Sequence, residues 1–263
     1  MIPKTIHYCW FGGNPLPKFA KKCIKSWKKY CPDYEIIEWN EKNFDLYSAP
    51  LYVQQAYEAR KWAFVSDYVR LKVVFDNGGI YLDTDVEVIR NLDVFLNYKS
   101  FFGFETDIYI ATGLGFGAHK NMPILCELMK HYEESSFVNE DGSYDLRACP
   151  EINTEVFVKH GLVKNNTNQV LDNGDVLIFS TDYFCPKSVS SGKIRIKKNT
   201  YTIHKYNASW VEKEEIEKRD LIWKKARKEI RRERIRLIPN IVLKKIIGEK
   251  KYNNLKSFLK KNI

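Results

Sequence analysis

The chain has 263 residues, 44% of them hydrophobic, with six cysteines and a net charge of +10. That length and apolar content suffice for one α/β core and exclude a disordered chain. No apolar run reaches bilayer-spanning length, the first residues enter a strand with no apolar leader, and Cys9, Cys23, Cys31, Cys126, Cys149 and Cys185 show no C-x-x-C spacing, so a cytoplasmic protein with reduced thiols and no structural zinc is expected.

In chain order the pattern predicts a strand at 5–10, a helix at 17–30, a strand at 34–39, a long helix at 52–76 and a strand entering the run Gly78-Gly79-Ile80-Tyr81-Leu82-Asp83-Thr84-Asp85. Strand-helix alternation argues for a parallel sheet. Further on come a strand at 101–104, the glycine-rich Gly113-Leu114-Gly115-Phe116-Gly117, and helices at 122–132 and 153–160. The glycines fall as G-x-G-x-G without the strand-turn-helix unit that a dinucleotide loop requires. They suit a close backbone approach to a bound ligand.

Two carboxylates one residue apart, at the carboxyl end of a buried strand, project where ligands bind in open α/β sheets. Their hard oxygens suit Mg²⁺ or Mn²⁺. An isolated Asp-x-Asp is usually an ordinary turn, but upstream Ser66-Asp67-x-x-Arg70 sets an acid and a guanidinium on one helix face. Those two, taken alone, read more readily as a surface ion pair.

Together these segments resemble the DXD region of family 32 glycosyltransferases, the capsular polysaccharide and yeast mannosyltransferase-like group. Ile2-Pro3-Lys4-Thr5-Ile6-His7-Tyr8-Cys9-Trp10-Phe11-Gly12-Gly13 is similar to that family's first strand, and Ile203-His204-x-x-Asn207-Ala208-Ser209-Trp210 to its closing element. The resemblance implies a GT-A fold, Rossmann-like and nucleotide-sugar-binding, over residues 1–210. It implies a metal-dependent hexosyltransferase that retains anomeric configuration and uses a UDP-sugar. By similarity to the related large clostridial glucosylating toxins, Trp10 would stack on the uracil; the competing reading of Trp10 is a core residue closing a strand. Asp67, Arg70 and Tyr81 would hold the sugar. Asp85, Asp83 and His204 would hold Mn²⁺ or Mg²⁺, although a lone His is as often structural. Ser209 and Trp210 would close over the diphosphate. Asp83, Asp85, Arg70 and Trp210 form the expected catalytic set. His7 receives no catalytic role, and Glu105, Asp107 and Glu151 are left without one.

Residues 211–263 carry 18 Lys and Arg against 8 Asp and Glu, an excess equal to the net charge of the whole chain. A charge-dense helical pattern over 212–236 ends before Pro239, and Ile238, Ile241, Val242 and Ile246 then line one face beside Lys244, Lys245, Lys250 and Lys251. Such a basic helical extension fits a peripheral helix on anionic lipid at the inner membrane face, or a solvated face packed on the core. The first reading suits a lipid-linked or capsular glycan acceptor. Two other functions compete: a metal-dependent nucleotidyltransferase, for which a further acid and a phosphate-cradling loop are missing, and a non-catalytic membrane-binding protein with a lapsed core. Sparse aromatic residues in the tail argue against nucleic acid.

Overall fold

A computed structural model of the chain describes residues 1–207, 213–237 and 247–261. The chain divides into two compact units, residues 1–189 with 194–212, and residues 190–193 with 213–263.

The first unit runs β1 (Thr5–Cys9), α1 (Lys18–Tyr30), β2 (Glu35–Trp39), α2 (Leu51–Glu58), α3 (Trp62–Asn77), β3 (Gly79–Tyr81), β4 (Val86–Val88), β5 (Ser100–Gly103), β6 (Phe116–Ala118), α4 (Pro123–Glu134), α5 (Cys149–Lys159), β7 (Gln169–Leu171), β8 (Val176–Phe179), α6 (Thr181–Phe184) and β9 (Thr202–His204). Seven strands form one sheet in the order β2-β1-β3-β6-β5-β8-β7, and β4 pairs with β9 in a separate two-stranded ribbon. The α/β expectation holds. β1 lies parallel to β2 and β3, and β5 to β8, whereas β6 and β7 run antiparallel to their neighbours, so the whole sheet is mixed.

Side-chain alternation sends successive residues to opposite faces of the sheet. Ile6, Tyr8, Ile80, Leu82 and Phe101 enter a cluster with Ile24 and Trp27 of α1 and Phe184 of α6. Cys9, Tyr81, Phe102 and Phe116 enter another with Tyr52, Val69, Leu128 and Phe157 from α2 to α5. Helices therefore cover both faces, and the strand ends are left for a site.

The single helix expected over 52–76 is two. Arg60 adopts a left-handed conformation, φ 57°, and the Lys61 amide donates to the Ala56 carbonyl at 2.8 Å, the 6→1 bond that closes a helix C-terminus. No glycine marks this break, which is why the periodicity reads straight through it. The restart sets α3 as an independent element carrying Ser66, Asp67 and Arg70.

In the second unit α7 (Lys213–Leu237) and α8 (Glu249–Lys261) are helical. Trp223 is buried and stands so close to Gly192 that a Cβ there would lie 2.5 Å from the indole. Among the described residues no helix is long and apolar enough to cross a membrane. The apolar stripe Ile238, Ile241, Val242 and Ile246, with Pro239, Lys244 and Lys245, lies outside the described residues.

Candidate active site

The acids emerge from β3, whose end is pinned on both sides. The Leu82 amide donates to the His7 carbonyl at 3.0 Å, and the Asp83 amide to the Gly113 carbonyl at 3.1 Å. The chain then turns at once, the Val86 amide donating to the Asp83 carbonyl at 3.0 Å, and enters β4. Because β4 pairs with β9 in the register Val86↔His204, a residue far along the sequence is delivered beside Asp85. His204 Nε2 stands 3.2 Å from Asp85 Oδ1, and one donor atom from each of Asp83, Asp85 and His204 can be chosen so that all lie within 4.8 Å of one another.

On the other side of Asp83, α3 presents the guanidinium. Arg70 Nη2 is 3.0 Å from Asp67 Oδ1 and 3.3 Å from Asp83 Oδ1. Tyr81 donates its hydroxyl to Asp83 Oδ1 at 3.0 Å, and its ring lies 5.2 Å from the Arg70 guanidinium carbon. Asp67, Arg70, Tyr81, Asp83, Asp85 and His204 thus form one continuous group.

Burial pushes Asp67 up to about 6, against the pull of Arg70. It raises Asp83 and Glu105 as well, against the pull of Arg70 and of His204 respectively. Asp85 differs: burial opposes its charge, but His204 and the Asn207 amide, 2.8 Å from Oδ2, outweigh burial and hold it below the usual carboxylate range. Burial likewise opposes the charge on His204, and Asp85 overcomes it. Four carboxyl groups, Asp67, Asp83, Asp85 and Glu105, face two cationic side chains, Arg70 and His204. A divalent cation fits that imbalance and that donor set, two carboxylates and an imidazole. His204 turns Nε2 toward Asp85 at 3.2 Å, while its Nδ1 is buried without a hydrogen-bond partner.

Trp10 follows β1, which lies parallel to β3 in the sheet. It is half-buried, its indole donates to the Asn14 carbonyl at 2.6 Å, and it lines a cleft of about 960 Å³ with Trp62, Tyr57, Glu38, Asn40 and Glu41 at the ends of β1 and β2. The lining of that cleft does not include the Asp83 group. Ser209 and Trp210 lie outside the described residues. His7 is structural: Nδ1 accepts from the Trp39 indole at 3.1 Å and Nε2 donates to the Gly78 carbonyl at 2.8 Å, which occupies both nitrogens of a neutral ring. Asp107 accepts from Asn166 at 2.9 Å, and Glu151 is exposed on the first turn of α5.

Sequence reasoning missed what lies behind Arg70. Cys149 and Asn153 on α5, with Thr112, form a buried polar cluster: Asn153 Nδ2 donates to Cys149 Sγ at 3.0 Å and to Thr112 Oγ1 at 3.1 Å. Cys149 carries no signal of this in the sequence, though an Asn inside a helix is one. Gly113 was legible as a close approach, but the group it admits is Asp83 itself: a Cβ there would lie 2.2 Å from Asp83 Oδ2 and 3.0 Å from Arg70 Nη1.

Residues 17–102, which contain both the Asp67–Arg70 pair and the two acids, match the family described as "Glycosyltransferase sugar-binding region containing DXD motif". The chain is 29% identical over 140 residues to inositol phosphoceramide mannosyltransferase 3 of Schizosaccharomyces pombe, covering 52% of this chain and 38% of that one. It is 30% identical over 111 residues to the uncharacterized glycosyltransferase L373 of Acanthamoeba polyphaga mimivirus, covering 39% and 43%. The matches thus span about two fifths of the length of these relatives. Among solved structures, the PaToxG glycosyltransferase superposes with a TM-score of 0.47 at 20% identity, over 60% of this chain and 68% of that one. The family match and the relatives support a glycosyltransferase family for this chain.

Proposed function

We propose that the protein is a metal-dependent, retaining GT-A glycosyltransferase of the family 32 type, which moves a hexose from a UDP-sugar to a growing surface glycan. The observation that carries this reading is the grouping of Asp83, Asp85 and His204 within 4.8 Å, directly beside the Asp67–Arg70 pair at 3.0 Å.

Asp85, Asp83 and His204 would hold Mn²⁺ or Mg²⁺, which supplies Lewis-acid stabilisation of the charge that develops on the departing diphosphate. Asp67 and Arg70 orient the hexose hydroxyls through a carboxylate acceptor and a guanidinium donor, and Asp83, tied to both Arg70 and Tyr81, links sugar and phosphate recognition. As the bond from the anomeric carbon to the phosphate oxygen breaks, the acceptor oxygen bonds to the same face of that carbon, and the acceptor proton passes to the departing diphosphate. Trp10 provides a face for the base, while Ser209 and Trp210 close over the diphosphate and exclude water. Residues 1–210 make up the catalytic domain in this reading, and 211–263 a basic extension that holds it at an anionic, cytoplasmic membrane face near a lipid-linked acceptor.

The test is a scan of UDP- and GDP-sugars for Mn²⁺-dependent release of nucleoside diphosphate, beginning with UDP-galactose, UDP-glucose and UDP-N-acetylglucosamine. One UDP-sugar turned over, with loss of turnover in a folded Asp85→Asn protein, is the expected result. Turnover that ignores chelation, or a folded Asp85→Asn enzyme with full activity, overturns the metal assignment.

A further inference from the structure

Glu105 follows β5 in a loop closed by the Phe104–Ile110 bridge. Its amide donates to the Tyr109 carbonyl at 2.8 Å, and Thr106 Oγ1 accepts from the Tyr109 amide at 3.1 Å, so the backbone that carries it is fixed. The side chain is only 16% exposed and points at the imidazole, with Oε1 3.7 Å from His204 Nδ1. That separation exceeds a hydrogen bond by roughly half an ångström, and Nδ1 has no hydrogen-bond partner. The far nitrogen, Nε2, faces Asp85 at 3.2 Å. The Tyr206 ring, its centroid 4.3 Å from that of the imidazole, and the Cys185 thiol also adjoin the ring; a thiol is a weak acceptor beside a carboxylate.

We propose that Glu105 is a positioning residue for the metal site: it accepts the Nδ1 proton of His204 and so fixes the ring with Nε2 toward the ion. This rests on the metal-dependent reading above and adds to it a residue that touches neither ion nor donor. The chemistry is that of a ligating histidine generally. An imidazole that gives one nitrogen's lone pair to a cation carries its proton on the other, and a carboxylate on that proton fixes the tautomer and raises the basicity of the ligating nitrogen. Asp85 cannot serve in this way, because it lies on the ligating side.

The test is Mn²⁺ affinity, read by the loss of the free-ion electron paramagnetic resonance signal in the absence of any donor, so that catalysis is not required. Glu105→Gln should weaken Mn²⁺ binding by about 10- to 100-fold, with an unchanged melting temperature in EDTA. In a His204→Gln background the same substitution should change affinity less than twofold, because the residue through which it acts is gone. Should Glu105→Gln not fold, Glu105→Asp, which keeps the charge and shortens the reach, takes its place with the same two comparisons. An affinity within twofold of the parent overturns the proposal, and an equal loss in both backgrounds overturns it too, since Glu105 would then bind the ion itself. If the parent protein binds no Mn²⁺, the metal-dependent reading fails first, a result distinct from either.

Discussion

Gly113 shows how little room the site leaves around Asp83. A methyl group there would lie 2.2 Å from one carboxylate oxygen, so Gly113→Ala must turn Asp83 away from Arg70 or lift the loop that receives the Asp83 amide. Overpacking of this kind costs about 1–3 kcal/mol. The expected outcome is an approximately tenfold or greater loss of Mn²⁺–UDP affinity by calorimetry with circular dichroism unchanged; parental affinity would show that Asp83 can move freely. Trp10→Ala separates two roles in the same way. Stacking on a base predicts a loss of roughly 1–3 kcal/mol in UDP binding, whereas a packing role predicts a lower melting temperature at unchanged affinity.

The helix–loop contacts around α5 hold a second testable device. His160, just past its end, places Nδ1 2.9 Å from Asp172 and Nε2 3.1 Å from Glu127 of α4. Both nitrogens can donate only when the ring is charged, and Asp172 first, then Glu127, raise its pKa despite partial burial. A raised folded-state value means that the stabilisation is complete below the unfolded value of about 6.5 and fades as pH rises through the higher folded one. His160→Gln should therefore cost on the order of 1 kcal/mol at pH 5.5 and less at pH 9, read as the gap between melting temperatures; a gap independent of pH would exclude the charged clasp. Elements of this sort were illegible in the sequence because they depend on which loops meet. The acids at the end of β3 were legible, since an apolar run that stops in carboxylates is a local pattern. The break at Arg60, with no glycine to mark it, was not. Nor were the three-residue strands β4 and β9, too short for any alternation to register, although they alone deliver His204 to Asp85.

At the scale of the molecule, the charge excess and the acid-rich site lie in different parts of the chain. Basic side chains near an anionic bilayer each contribute about 1 kcal/mol, so deletion of the residues after Pro239 should abolish flotation with phosphatidylserine vesicles yet leave Mn²⁺-dependent donor hydrolysis intact. Flotation that survives would refute the anchor, and loss of the melting transition would show the extension to be part of the folded core. The β4–β9 ribbon has a further consequence, for the protein during its synthesis. A ribosome adds about 5–20 residues per second, so Asp83 and Asp85 emerge on the order of ten seconds before His204, and a nascent chain that stops short of β9 has the two acids without the imidazole that stands 3.2 Å from Asp85. On the proposed metal-dependent reading, ion capture therefore waits until β9 has paired with β4.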